Sequence, residues 1–448
     1  MRVAAVSLAA LLPAVAWAQA EHLPRGFPTR EGRLVFCSAR TLAQWPCPEL
    51  DWLRQFEVVL TNGYDLPAPA ARAALRAAGS RLFRYFWVAG FPEAELEYSL
   101  PDGAWRQEIV QSHPEWLLAP EPLPGPAGTP PSYYYDLADA APAAFLADRL
   151  AAFRTASGYD GYLLDYAGIY ALPPEAQERW QQRHPALPYD RALTGFLGQV
   201  RRRDPAGLLA TNQAFRSDQP LASQADYDLA ESYGTSYAWG PVTTVNGREV
   251  AETYTRPWAG PGGLEELYGT LAARPAGQRP RRCFLVLDYM RPGLVRGPGE
   301  PEEVADVEAV YYSYAAAALF GLPSFCSGWY GREYRGPLYF ADLGRALGEG
   351  PTKVGAVVLR EYERGLVALL AGADPAQASW TMRGSRCRLL YDLRTGRRLP
   401  VRGGRVTLRL RPARGEVTGT VRPVGRVYLK VGPAPSRARH AATDSWEG

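Results

Sequence analysis

Between Arg33 and Tyr330 short, almost continuously apolar runs alternate with helical segments, and this alternation constrains the fold more than any other feature. The runs are Leu34–Cys37, Val58–Thr61, Leu82–Val88, Gly161–Asp165, Leu208–Thr211, Asp228–Glu231, Cys283–Asp288 and Pro323–Trp329. They lack polar–apolar alternation, as strands buried on both faces of a parallel sheet do. Helices with readable ends lie between them. Asp139 can cap a helix with Pro142 in its first turn, an apolar face of Leu146, Leu150 and Phe153, and Gly158 to stop it. Leu193, Phe196, Leu197 and Val200 form a second apolar stripe, and a third helix beginning near Glu302 carries Val304, Val307, Tyr311 and Tyr314. Strands alternating with helices imply a parallel sheet, and about eight strands over this length imply a (β/α)8 TIM barrel.

The pattern changes near Gly350. Residues from Lys353 to Val431 alternate apolar and polar, with turn signals at Glu363-Arg-Gly, Ala371-Gly-Ala-Asp, Arg394-Thr-Gly and Arg402-Gly-Gly. The run Arg405-Val-Thr-Leu-Arg-Leu-Arg has a clean period of two, so a small antiparallel β-sandwich is expected. The expected division is residues 31–348 for the barrel and 352–432 for the sandwich. The Pro/Ser/Ala/Arg-rich stretch 433–448 is expected to be a disordered tail. Residues 1–20 read as a signal peptide: Arg2, an apolar run from Val3 to Trp17, then Ala18-Gln19-Ala20. The expected location is secreted, periplasmic or at the cell envelope. Two long loops, one from the Leu82 strand to Asp139 and one from Trp239 to Gly263, are placed to wall a cleft.

Composition narrows the function. Hydrophobic residues make up 47% and charged residues 21%, the balance of a globular protein. The net charge of +4 is modest, and no basic helix accompanies it, which argues against a nucleic-acid partner. Past the leader no apolar stretch reaches the length of a membrane span. The four histidines, His22, His113, His184 and His440, fall in loops, linkers or the tail, which gives no support to a metal site or a Ser-His-Asp triad. G-x-S-x-G, Walker and G-x-G-x-x-G motifs are absent, and no cofactor is implied. Among the five cysteines, Cys37 with Cys47 and Cys283 with Cys326 could pair, and Cys387 is the fifth.

Two apolar strands end on acids. Gly158-Tyr-Asp-Gly-Tyr-Leu-Leu-Asp165-Tyr166 delivers Asp165, and Tyr227-Asp-Leu-Ala-Glu231-Ser-Tyr233 delivers Glu231. One strand lies between them, so they belong to alternate staves and can face each other across the barrel mouth. Cleaving a glycosidic bond needs two carboxyl groups: one protonates the leaving oxygen, the other attacks the anomeric carbon or activates water. Neighbouring tyrosines favour a raised pKa for Glu231, which makes it the general acid and Asp165 the nucleophile or base, with the reverse assignment open. Asp160 begins its strand and reads as structural. Asn62, Asn212 and Asp288 also sit at strand ends, where they can meet substrate or bond a loop backbone. Asp136 is a further substrate contact or a helix-start residue. Trp87, Tyr166, Tyr233 and Trp329 complete the expected contacts. They belong to an aromatic set with Tyr64, Tyr170, Tyr237, Trp239, Tyr289 and Tyr330, of the kind on which sugar C–H faces pack.

Asp160-Gly-Tyr-Leu-Leu-Asp-Tyr166 resembles the DGxxLDY strand of bacterial (β/α)8 glycoside hydrolases of the hypothetical glycosyl hydrolase and endo-polygalactosaminidase-like group. Tyr135-Asp-Leu-Ala-Asp-Ala-Ala-Pro-Ala-Ala-Phe-Leu146 is similar to the helix start that precedes that strand there and in the α-galactosidase clan. Pro114-Glu-Trp-Leu-Leu118 is similar to the PEWL segment of the group. Arg360-Glu-Tyr-Glu-Arg-Gly-Leu-Val367 and Tyr391-Asp-Leu-Arg-Thr-Gly396 look like the terminal β-sandwich of many such enzymes. In the clan the nucleophile ends the fourth strand and the acid the sixth, so the resemblance implies Asp165 and Glu231 in those roles. The chain departs from the clan in carrying Glu rather than Asp as the acid. The expected function is hydrolysis of an oligo- or polysaccharide, with a non-catalytic carbohydrate-binding protein or a transglycosidase as the alternatives.

Overall fold

A computed structural model of the chain describes residues 33–63, 65–94, 101–125, 130–168, 172–236, 240, 242–245, 248–295, 302–328, 334–383, 387–415 and 418–432. The expected signal peptide at 1–20, the stretch 433–448 expected to be a tail, Trp329 and the aromatics Tyr64, Tyr170, Tyr237, Trp239 and Tyr330 lie outside the described residues. The rest forms two compact units, one of residues 30–306 with 320–334, the other of 307–319 with the chain from 335 on.

The larger unit is an eight-stranded parallel, nearly closed barrel. Its strands are β1 (Leu34–Ser38), β2 (Val58–Asn62), β3 (Arg81–Trp87), β4 (Gly161–Asp165), β5 (Leu208–Asn212), β6 (Tyr227–Glu231), β7 (Cys283–Met290) and β8 (Ser324–Gly328), paired in chain order. β1 and β8 come alongside each other at the closure. The apolar runs are legible because both faces are covered: Val58, Val59 and Leu60 in β2 and Leu285 and Val286 in β7 are all buried.

Register assigns side chains to faces. Trp87 pairs with Asp165, Asn212 with Leu229, Glu231 with Leu287 and Tyr289 with Ser327, so these residues share the inner face. Tyr162 and Asp228, one step off, face the helical layer. The lower end of the lumen is filled by aromatic contacts, including Phe83 edge-on to Tyr227 at 5.7 Å. At that same end three carboxylates pair with arginines: Asp160 with Arg76, Asp204 with Arg154 and Asp226 with Arg201. Asp160 also accepts the Leu82 N–H at 2.9 Å, the structural role expected of it.

The helix Ala140–Ser157 ends as its sequence implies. Asp139 accepts the Ala141 N–H at 2.9 Å, and Gly158 closes the helix in the left-handed region at φ 73°. Gly161 opens β4 where an added methyl would collide with the Leu208 carbonyl of the neighbouring strand. Gly161→Ala should therefore force β4 and β5 apart at a cost of about 1–3 kcal/mol. A thermal melt that matches the wild type would show that the strands accommodate the methyl.

Three expectations need correction. Glu302–Ala305 is not the start of a helix: it pairs antiparallel with Pro292–Val295, and the helix runs Val307–Leu319. The extended pairing takes up the backbone groups that a helix would have used. The five cysteines are all present as thiols. Cys283 and Cys326 do lie on adjacent strands, but Cys283 is level with Tyr227 and Cys326 with Asp288, so they are five residues out of step. The stretch before Asp139 is more than a loop: it contains a helix, Pro101–Ser112, and a ribbon pairing Gly90–Pro92 with Ser132–Tyr134.

The smaller unit is antiparallel, as expected of a sandwich. One sheet contains Val357–Glu361, Gly365–Leu370, Val424–Val431 and Leu389–Asp392, and a separate pair joins Ala376–Thr381 to Arg405–Leu410. Arg405–Leu410 alternates strictly between exposed and buried residues. The helix Val307–Leu319 packs on Val424–Val431, where Gly425 lets the backbones meet. Beneath the sheet the buried Glu361 carboxylate is satisfied by Lys430 at 2.7 Å, Trp380 Nε1 at 2.9 Å and the Arg383 N–H. Among the described residues no helix is long and apolar enough to cross a membrane.

Candidate active site

β4, β5 and β6 end on Asp165, Asn212 and Glu231, and the structure joins these three by hydrogen bonds. The Asn212 amide nitrogen donates to Asp165 Oδ1 at 2.8 Å and, with its other proton, to Glu231 Oε2. Turning the amide over would set an acceptor against two carboxylates, so the bridge fixes its orientation. Asp165 takes two further donors, Tyr85 Oη at 2.9 Å and the Tyr166 N–H at 2.8 Å. Glu231 takes one, Tyr289 Oη at 2.8 Å.

The backbone turns sharply after each of the three. Among the described residues the only non-glycine residues with positive φ are Tyr166 (55°), Gln213 (58°) and Ser232 (57°). They follow Asp165, Asn212 and Glu231 directly. The left-handed conformation costs an L-residue about 1–2 kcal/mol, and strain of this kind gathers where a site must be held in shape. The Gln213 and Ser232 N–H groups still donate to the next strand, to Leu229 and Leu287 carbonyls at 2.8 and 2.9 Å, so each strand keeps its ladder one step past its last side chain.

The electrostatics of the two acids differ. Burial raises the Asp165 carboxyl above its ordinary range, opposed by Asn212, Tyr85 and the Tyr166 N–H. Burial also raises Glu231, the Asp165 charge pushes it the same way, and Tyr289 and Asn212 oppose the rise. With three donors against two, the proton is better placed on Glu231 and the charge on Asp165. Tyr289→Phe removes a donor that favours ionised Glu231. It should therefore shift the alkaline limb of any activity profile upward, and an unmoved limb would remove Tyr289 from the site.

Trp87 and Tyr166 stand beside Asp165 with ring centroids 5.3 Å apart, and Tyr134 packs on Trp87 at 5.6 Å. Asn62 ends β2 exposed on the inner face. Three other expected contacts are engaged elsewhere. Asp136 is buried and bound by Arg183 at 3.0 Å and His184 at 2.9 Å. Tyr233 is buried, and its hydroxyl accepts from Arg216 Nε at 2.7 Å. Asp288 lies one step off the inner face and accepts the Gly234 N–H at 3.0 Å. Strand parity separates Asp288 from Tyr289 and finds Tyr85, which sequence reading overlooked: Phe83, Tyr85 and Trp87 alternate on the face that Asp165 shares.

No protein-family model matches the sequence, and no curated protein matches it. Solved structures to which the chain is similar include several glycoside hydrolases. The glycoside hydrolase domain of PelA from Pseudomonas aeruginosa is 22% identical, over 68% of this chain and 96% of that one, with a TM-score of 0.43. A noncanonic maltogenic alpha-amylase, AmyB from Thermotoga neapolitana, is 9% identical over 90% and 99%, with a TM-score of 0.47. An alpha-galactosidase from Lactobacillus brevis is 11% identical over 91% and 56%, with a TM-score of 0.46.

Proposed function

We propose that the protein is an exported glycoside hydrolase in which Asp165 is the nucleophile and Glu231 the general acid and base. The observation that carries this reading is the Asn212 amide shared by two carboxyl groups at one barrel rim. One nitrogen bonded to both acids keeps their nearest oxygens within about 5 Å, close to the roughly 5–5.5 Å of retaining enzymes and short of the roughly 6.5–9.5 Å of inverting ones. In the first step Asp165 attacks the anomeric carbon while Glu231 protonates the leaving oxygen. In the second, Glu231 takes a proton from water, which displaces Asp165 and restores the anomeric configuration. Tyr85 holds the nucleophile and Tyr289 the acid. The substrate is an oligo- or polysaccharide, for which Trp87 and Tyr166 offer ring faces, and the signal-peptide pattern of residues 1–20 supports a reaction outside the cytoplasm. Incubation with a panel of purified polysaccharides, scored by new reducing ends, tests the proposal. Release by the wild type but not by Asp165→Asn is expected. Equal release by both would defeat it.

A further inference from the structure

Two more carboxylates, Asp228 and Asp288, are fully buried just behind the site, on the side of the sheet that faces the helices. They differ from Asp160, Asp204 and Asp226, which pair with arginines at the opposite end of the strands. Asp228 and Asp288 are spent on loop backbone. Asp228 Oδ1 accepts the Ala214 N–H at 3.0 Å and the Thr211 hydroxyl at 2.8 Å, and Oδ2 accepts the Phe215 N–H at 2.8 Å. Asp288 accepts the Gly234 N–H through both oxygens, at 3.0 and 3.2 Å. The captured amides lie two or three residues beyond Asn212 and Glu231, on the far side of left-handed Gln213 and Ser232.

A buried carboxylate is expensive, and an apolar side chain would serve packing alone better. What the carboxyl oxygens add here is a clamp. The ladder bonds of Gln213 and Ser232 hold the near side of each turn, and the carboxylate holds the far side, so the strained residue cannot relax. We propose that Asp228 and Asp288 are positioning residues, which lock the exits of β5 and β6 so that the Asn212 amide and the Glu231 carboxyl meet Asp165 in a single geometry. This rests on Asp165 and Glu231 being the reacting pair.

The test uses the full chain, with Asp228→Asn, Asp288→Asn and, as control, Asp160→Asn. One measurement is kcat and KM on the polysaccharide that the wild type cleaves best. The other is the titration of the two site carboxyls by carbon NMR, assigned with Asp165→Asn and Glu231→Gln. Both rim variants should lose about 10- to 100-fold in kcat with little change in KM, the size of effect a small misplacement produces. They should also displace the titration of the pair. Asp160→Asn should lower the melting temperature and leave kcat and titration unchanged. Thr211→Val, which removes only the hydroxyl bonded to Asp228, gives the same test in a milder form. Folded rim variants with wild-type kcat and titration would overturn the proposal, as would equal losses in the control. A wild type that cleaves no polysaccharide would defeat the functional reading, and the titration would still decide this one.

Discussion

Glu231→Gln should cut turnover of natural polysaccharide by orders of magnitude and make the protein more stable at neutral pH. The two effects have one cause. Glu231 is buried beside another acid, and this holds its carboxyl above the ordinary range. Between about pH 4 and the raised value, the unfolded chain has lost a proton that the folded protein keeps. Stability is then greatest in acid and falls as pH rises. Replacing the carboxyl by a neutral amide of the same shape removes that loss. The melting temperature should rise by about 2–4 °C for each kcal/mol relieved at pH 7.5 and stay unchanged near pH 4. Activity should fall about 10²–10⁴-fold, the usual contribution of a proton donor. Glycosides with an acidic phenol as leaving group need no protonation, so they should recover much of the rate in Glu231→Gln and none in Asp165→Asn. A destabilised Glu231→Gln at neutral pH, or equal rescue of both variants, would mean that the roles are assigned wrongly.

Asn212→Asp should be a damaging isosteric change at a residue that takes no part in bond-making itself. It removes the amide bonded to both acids and sets a third carboxyl where the two amide protons stood. At alkaline pH three buried carboxyls would repel one another, and both site acids would be driven further up. A loss of at least about 10²-fold in kcat/KM is expected, in line with a misplaced reacting group. The loss should shrink towards acid pH, where the introduced carboxyl is protonated and can donate one hydrogen bond again. A pH profile of kcat/KM for the variant checks this, and a deficit that is constant across pH would show that Asn212 does not act through its donors.

The barrel was legible in the sequence because burial on both faces makes each strand a short apolar run with a polar end. Asp165, Asn212 and Glu231 were legible for the same reason, as the polar residues on which three such runs stop. Strand parity was not, since it follows from register, and register depends on neighbours that one strand does not specify. Asp288 therefore read as a site residue, while Tyr289 beside it counted only as one aromatic among many and Tyr85 was passed over. The helix Pro174–Arg183 buries only Ala176 and Trp180 and so has too little periodicity to be noticed. The left-handed turns at Tyr166, Gln213 and Ser232 carry no signature, because sequence reading looks for glycine at such places. The clamps formed by Asp228 and Asp288 depend on those turns and become visible only with the fold.

Identifying the residue that bonds covalently to substrate tests the central claim most directly. A glycosyl fluoride of the preferred sugar, with fluorine at carbon 2 to slow the second step, should trap the intermediate, and peptide mass spectrometry should place the added sugar on Asp165. A label on Glu231, or hydrolysis that inverts the anomeric centre and leaves no label, would contradict the account.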